Sequence, residues 1–436
     1  MAVYKKKSVS SRKRQIKNAV TESIPMQKTP KKKPITSTKK SSDTKTVKEV
    51  SKSPHLPNIR VVNGNKFKIK RRKLTSIAII SLVIVFVVIF AFCTPTGLFE
   101  YIQNRVSLVG NGNGYPISLS SGGSLISVVQ GNNHYISITA SSVDGYNNNG
   151  KLLFSYPHGY SYPVVKKSSE RFLLCSLGEK DYSVYNLNKQ LFSGTTSNKI
   201  LAAAIAEDGT YAIATQSDSY SSQVVVYDKN NKQIYKWMCA DYIINNVAIS
   251  PDGNRIAVSV FNTKSGKFLS KLYILGYKSA TPINLFEYEN ELIMSLNNAA
   301  NSSFYAVFEN NITFFKWNDL SNTVHTSEKK VFFSRNSKKY ALVVNSNEAN
   351  KKDNEIVVYN GKGVQKYTFS FNEEIVDIAL RGKYIYILSD RMIYIYNVSG
   401  ELLNSVECEF GVKRIVPIGK FSVATFTDSG IKKVIA

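Results

Sequence analysis

The sequence predicts an all-β domain, a seven-bladed β-propeller, that follows one transmembrane helix and a disordered basic N-terminal tail. Three observations carry this. Short apolar runs recur every 43 residues or so beyond residue 115, a period in the range of propeller blades. Residues 74–92 carry no charge, and the 73 residues before Leu74 hold most of the formal net charge of +26.

The tail comes first in the chain. Residues 1–73 contain 23 Lys or Arg against 3 Asp or Glu, whereas the rest of the chain has 34 against 28. Basic clusters such as Lys5-Lys6-Lys7, Arg12-Lys13-Arg14 and Lys31-Lys32-Lys33 alternate with Ser and Thr, and Tyr4 and Phe67 are the only aromatics. Such a segment buries too little apolar surface to offset the entropy of ordering it, so it is expected to be disordered. Anionic lipid head groups are its expected partner, each basic residue near a charged membrane contributing about 1 kcal/mol. Specific nucleic-acid binding is argued against, because stacking aromatics and any recognition motif are missing. A docking or phosphorylation tail is the other reading.

Residues 74–92 as a helix cover about 28 Å, close to the hydrocarbon thickness of a bilayer. Lys70, Arg71, Arg72 and Lys73 flank this stretch as a membrane-anchor cluster. The charge asymmetry places the N-terminus in the cytoplasm and the C-terminal domain outside, a single-pass cell-membrane location. A cleaved signal peptide does not fit, since its apolar core is shorter and nearer the start. A lipid-modified Cys93 does not fit either, because Phe92 stands where lipobox-like sequences have Gly or Ala. The expected organisation is a tail over 1–73, a membrane helix over 74–93, a linker or stalk over 94–114 and the propeller over 115–436. Within the linker, residues 98–106 suit a short helix and Gly110-Asn111-Gly112-Asn113-Gly114 suits a flexible joint.

In the domain the clearest unit is Ser250-Pro251-Asp252-Gly253-Asn254-Arg255-Ile256-Ala257-Val258. Pro presets φ, Asp bonds its own backbone and Gly supplies a positive φ, which makes a tight turn into a strand. Looser copies lead to Ala212, Ala306, Ala341 and Ile385, and Ile126 and Leu173, with no such copy before them, are added to Ala257 and these to make seven anchors. A second landmark follows each anchor: Tyr185-Asn186, Tyr227-Asp228, Tyr359-Asn360 and Tyr396-Asn397 each end an apolar run and enter a polar turn. Strand, hairpin, strand, turn, strand is the order of a propeller blade. The hairpin over 421–435 is read as surplus, pairing near Ile117 to Val129 to close the ring and remove exposed sheet edges. Eight blades is the alternative count.

The unit over 250–258 resembles the repeats of WD40-like bacterial propellers, including the Tol-system periplasmic propeller, across about residues 120–436. Only one repeat has the full Ser-Pro-Asp-Gly, and the Trp-Asp dipeptide of true WD40 repeats is absent. The layout as a whole resembles an uncharacterised family of single-pass, membrane-anchored propeller proteins of Gram-positive bacteria. That resemblance implies fold and location, and it supplies no activity.

Residue chemistry points away from catalysis. Cys175, Cys239 and Cys408 are odd in number, lack Cys-x-x-Cys spacing and sit in apolar runs, so buried free thiols are expected. His134, His158 and His325 form no ligand motif. Residues 144–150 offer oxygen ligands in a Gly-rich loop but lack the EF-hand order of carboxylates, so a plain hairpin loop is expected and no metal. Quinone-dependent propeller enzymes resemble one another in having a Trp per blade and a vicinal Cys pair. This chain has Trp237 and Trp317 and no such pair, so neither cofactor nor catalytic residue is assigned. What remains is the tyrosines, 26 in all, with Tyr160, Tyr162 and Tyr220 in expected loops as candidate partner-binding residues. Tyr242 and Tyr288 fall near others. The expected function is a non-enzymatic protein-binding scaffold of the cell envelope, its partner an envelope or membrane protein, with residues 140–150, 157–163 and 216–222 as contact loops. A module for cell-wall glycan or an anionic envelope polymer is the alternative, and a cofactor-dependent propeller enzyme the third.

Overall fold

A computed structural model describes residues 71–93, 97–119, 124–264, 266–279, 281–300 and 303–436, without the side chains of 71–75, 89–93 and 300. Two helices, α1 (Arg71–Cys93) and α2 (Leu98–Ser107), precede a run of strands that form eight four-stranded antiparallel sheets. Seven of these are built from four consecutive strands, beginning at Leu125, Pro163, Ile200, Ile243, Ser295, Lys330 and Asp377. The eighth takes Arg414–Pro417, Ser422–Phe426 and Gly430–Ile435 from the end of the chain and Ile117–Ser118 from its start. First strands of neighbouring blades lie next to each other, so they line the centre of the ring.

The blade count is therefore eight, and the expectation of seven is corrected. Leu173, Ala212, Ala257, Ala306, Ala341 and Ile385 each stand on the second strand of a blade. Ala424 stands on the second strand of the eighth, so the hairpin read as surplus belongs to a blade of its own. Its fourth strand is only two residues long and comes from the other end of the chain, pairing Ile117 with Ile431 and Ser118 with Gly430. Counted by sequence alone, that blade looks like three strands with a weak turn.

Burial explains the apolar runs. The second and third strands are covered on both faces by adjacent blades: every residue of His134–Thr139, Ser142–Asn147 and Arg171–Ser176 is buried. Such strands read as continuous runs. Fourth strands are far more exposed, as in Gln365–Phe371, where Phe371 alone is buried. The core is accordingly a ring of eight apolar wedges, one at each junction of neighbouring blades. Closure is part of this packing, because Tyr135 of the first blade meets Phe426 of the eighth edge to face at 5.3 Å.

The turn chemistry holds in detail. Gly253 donates its N–H to the Ser250 carbonyl at 2.8 Å and has φ near +70°, and a Cβ there would strike the Asp208 carboxylate of the preceding blade. The Tyr-Asn and Tyr-Asp landmarks end third strands because the side-chain oxygen caps the next turn. Asn186 accepts from the N–H groups of Asn188 and Lys189, Asp228 from those of Asn230 and Lys232, and Asn397 from those of Ser399 and Glu401. These are Asx turns, which replace the missing ladder bonds of the chain reversal.

The antiparallel order puts first-to-second and third-to-fourth turns on one face of the ring and second-to-third turns and blade-to-blade connectors on the other. We call these the turn face and the connector face. Helix α2 and the residues that follow it lie on the turn face over the first two blades. Arg171 donates twice to the Glu100 carboxylate at 2.8 and 2.7 Å and to the Lys229 carbonyl, Asn104 and Arg105 both bond Glu170, and Asn147 and Lys151 bond carbonyls of residues 107–110.

Among the described residues no helix is long and apolar enough to cross a membrane. This corrects the expected transmembrane helix. The part of α1 whose side chains are described, residues 76–88, amounts to about 20 Å of helix against the roughly 30 Å of a hydrocarbon core. Arg71, Arg72 and Lys73 open α1 with side chains outside the described residues, and Lys70 and the basic tail lie outside them altogether.

Candidate interaction surface

The connector face gathers the loops that the sequence singled out, with one exception. Residues 158–162 join the first blade to the second, and residues 217–221 join the second and third strands of the third blade, so both lie on this face. The segment 140–150 does not behave as one loop. Ser142–Asn147 is a fully buried third strand, leaving residues 140–141 on the connector face and 148–150 on the turn face. Gly145 is the reason: the ring of Phe154 lies against its backbone in the space a Cβ would fill.

The three tyrosines differ. Tyr162 is 70% exposed and Tyr220 42%, whereas Tyr160 is half-buried and held in place. Its ring stacks on His158 with centroids 5.5 Å apart, and its hydroxyl bonds Ser183, with burial raising the phenol above its usual pKa. Tyr242 lies under the Lys271 ammonium at 5.1 Å, and Tyr288 packs on Phe308. Tyr162 and Tyr220 are thus the two of these tyrosines whose side chains are exposed.

Sequence reasoning missed larger apolar residues on the same face. Phe410 is 81% exposed in the connector from the seventh blade to the eighth, and Phe332 is 57% exposed on the first strand of the sixth. Ile126, Ile243, Met294 and Val376 are exposed at or near the starts of other first strands. Phe332 and Ile126 sit at irregularities in the pairing of first and second strands, where an extra residue is turned out of the ladder. A depression of about 330 Å³ lined by Leu125, Ile126, Val376, Val412, Lys413 and Arg414 lies at this rim. The face as a whole is net acidic: its turns and connectors carry 13 Asp or Glu and 7 Lys or Arg, while those of the turn face carry 7 and 10.

One polar cluster on this face has the residue types of an acyl-transfer site. Ser142 donates to Asp144 at 2.7 Å and meets Thr139 at 3.1 Å, with His158 alongside. Both ring nitrogens of His158 are taken by backbone, Nε2 by the Thr139 carbonyl at 3.1 Å and Nδ1 by the Tyr160 N–H at 3.2 Å. The imidazole therefore has no nitrogen left for Ser142, and the cluster ties a connector to a turn. Cys175, Cys239 and Cys408 are buried free thiols, and burial pushes the Cys175 thiol up to about 12, away from nucleophilic use. Among the described residues no group of three or more His, Cys, Asp or Glu is placed to hold a metal ion.

Fold and surface together define a β-propeller of the WD40-like class with eight blades. The chain belongs to the family of unknown function DUF5711, whose profile matches residues 111–435. No curated protein matches it in sequence. Among solved structures it is similar in fold to the C-terminal WD40 domain of Sif2, with a TM-score of 0.53 at 7% identity over 74% of this chain and 97% of that one. BamB from Moraxella catarrhalis aligns with a TM-score of 0.43 at 12% identity over 72% and 99% of the two chains. AztD from Citrobacter koseri aligns with 0.47 at 12% identity over 66% and 86%.

Proposed function

We propose that the propeller is a non-enzymatic, protein-binding scaffold of the cell envelope that uses its connector face. One observation carries the reading: exposed large apolar side chains from separate blades, Phe410, Tyr162, Phe332 and Met294 among them, stand on that face, whose rim of turns and connectors is net acidic. Aromatic and Met side chains amid polar surroundings suit a protein partner, because they supply contact area without a charge to desolvate. The acidic rim disfavours an anionic polymer on this face. A location at the cell membrane, with the N-terminus cytoplasmic and this domain outside, belongs to the same reading, as does a Gram-positive source. Both rest on the charge distribution of the sequence and on the family resemblance.

A photo-crosslinking residue placed at Tyr162 or Phe410 in cells tests the proposal. The same polypeptide should be captured from both positions and not from Lys339 on the turn face. Absence of any adduct, or identical adducts from Lys339, overturns it. Protease access from outside intact cells tests the location separately.

A further inference from the structure

Helix α2 is amphipathic in the reverse of the usual sense. Its polar residues Glu100, Asn104 and Arg105 face the propeller and make the bonds that seat it there, with Asn104 fully buried. Its apolar residues Phe99, Ile102 and Val106, continued by Val109 just past its end, form a stripe at helical spacing that none of the described residues covers; Phe99 is 75% and Val106 66% exposed. A surface helix ordinarily turns that stripe to the core. Here two ion pairs, each with one buried partner, and the buried Asn104 fix the opposite orientation, so the stripe is presented outward.

We infer that α2 rests on an anionic lipid surface, with the turn face of the propeller against the head groups. Three features of the molecule favour lipid over another occupant. The turn face is the basic one, and exposed lysines such as Lys189, Lys232, Lys338, Lys339 and Lys362 project from its turns around the helix and across the ring. The helix follows α1 after a gap of only four residues, and the described side chains of α1 from Ile77 to Val88 are exposed and, Ser81 apart, apolar. The stripe is a single row on a ten-residue helix, in proportion to shallow insertion at the head-group boundary. Anionic lipid adds to apolar insertion through each lysine within a Debye length of the surface. This contact uses the face opposite to the proposed partner surface, so it leaves the connector face free.

The test is local, because α1 alone can carry the chain to a vesicle. An environment-sensitive dye is attached to Ile102→Cys in the full chain with Cys93→Ser; the remaining cysteines are buried. The protein is then bound to vesicles of three parts zwitterionic to one part anionic phospholipid. The dye should move to shorter wavelength and become shielded from aqueous iodide. The same dye at Ser219→Cys, on the connector face, should stay accessible. A dye at 102 that remains open to iodide on the vesicle overturns the inference. So does shielding that appears without lipid as protein concentration rises, which would make the occupant a second copy of the chain. Equal shielding on wholly zwitterionic vesicles overturns the anionic choice. A doubly substituted Phe99→Ser, Val106→Ser chain, whose mount is untouched, should lose the shift.

Discussion

The two faces of the ring solve chain reversal differently. On the turn face, five of the seven third-to-fourth reversals follow one pattern: an Asn or Asp at the end of the third strand caps the next turn, at Asn147, Asn186, Asp228, Asn360 and Asn397. On the connector face, reversals range from two residues at Asp390-Arg391 to seven at residues 347–353, their charge is net acidic, and the connectors expose apolar side chains such as Phe410 and Met294. The first pattern satisfies the backbone and fixes register. The second leaves residues that the fold does not use, and a surface that the fold does not need is where binding is to be sought.

The turn face should be the sensitive one. Arg171 is buried and Glu100 nearly so, and they pair through two parallel bonds, so Glu100→Ala leaves a buried guanidinium without its counter-charge. Breaking a buried pair from one side costs about 3–5 kcal/mol. The expected result is release of α2, read as amide exchange across Leu98–Ser107 accelerated to the rate of an unprotected chain. Unchanged protection would mean that Asn104 and Arg105 hold the helix alone. At the ring closure Phe426→Ala should cost about 3–5 kcal/mol in equilibrium denaturation, since it empties the wedge between first and eighth blades.

His134 gives the comparison a pH dependence. It opens the second strand of the first blade on the turn-face side, is buried, and burial with Lys167 and Arg105 nearby lowers it from 6.5 to about 4. The folded state keeps this ring neutral while the unfolded chain takes up a proton from pH 6.5 downward. Stability should therefore fall as pH drops from 6.5 to 4 and level off below, by on the order of 3 kcal/mol from this group. His134→Gln should remove that component, measured as the difference between the two denaturation series. Parallel series would mean that the ring is solvated.

How far the sequence reveals this structure follows from the same contrast. Turns with fixed chemistry were legible, which is why six anchors lie on second strands and the Tyr-Asn landmarks end third strands. The eighth blade was not, because Ile418-Gly419-Lys420-Phe421 lacks the Pro-Asp-Gly order and its fourth strand lies three hundred residues away in the chain. Residues 144–150 look like a loop by their Gly and Asn content. Gly145 is there for the ring of Phe154, a reason that depends on the neighbouring strand. Of the candidate surface, Tyr162 and Tyr220 were legible as tyrosines in turn-rich sequence. Phe332 and Met294 were not, because they stand in runs that read as core, and only the strand irregularity at Phe332 shows that it points out.

The smallest expected effect on stability is also the sharpest test of the connector face. Phe410→Ser and Tyr162→Ser remove exposed side chains that seat no neighbour, so each should change unfolding free energy by no more than about 0.5 kcal/mol. Both should nevertheless reduce partner capture by a crosslinker placed elsewhere on that face, at Tyr220. Truncating a central aromatic at an interface commonly costs about 2 kcal/mol of binding, some thirtyfold. If either substitution destabilises the fold as Phe426→Ala does, the residue belongs to the core and the comparison of faces fails at that position. If stability and capture are both unchanged, the contact lies elsewhere on the ring, and the short, self-satisfied reversals of the turn face gain weight as the surface that meets other molecules.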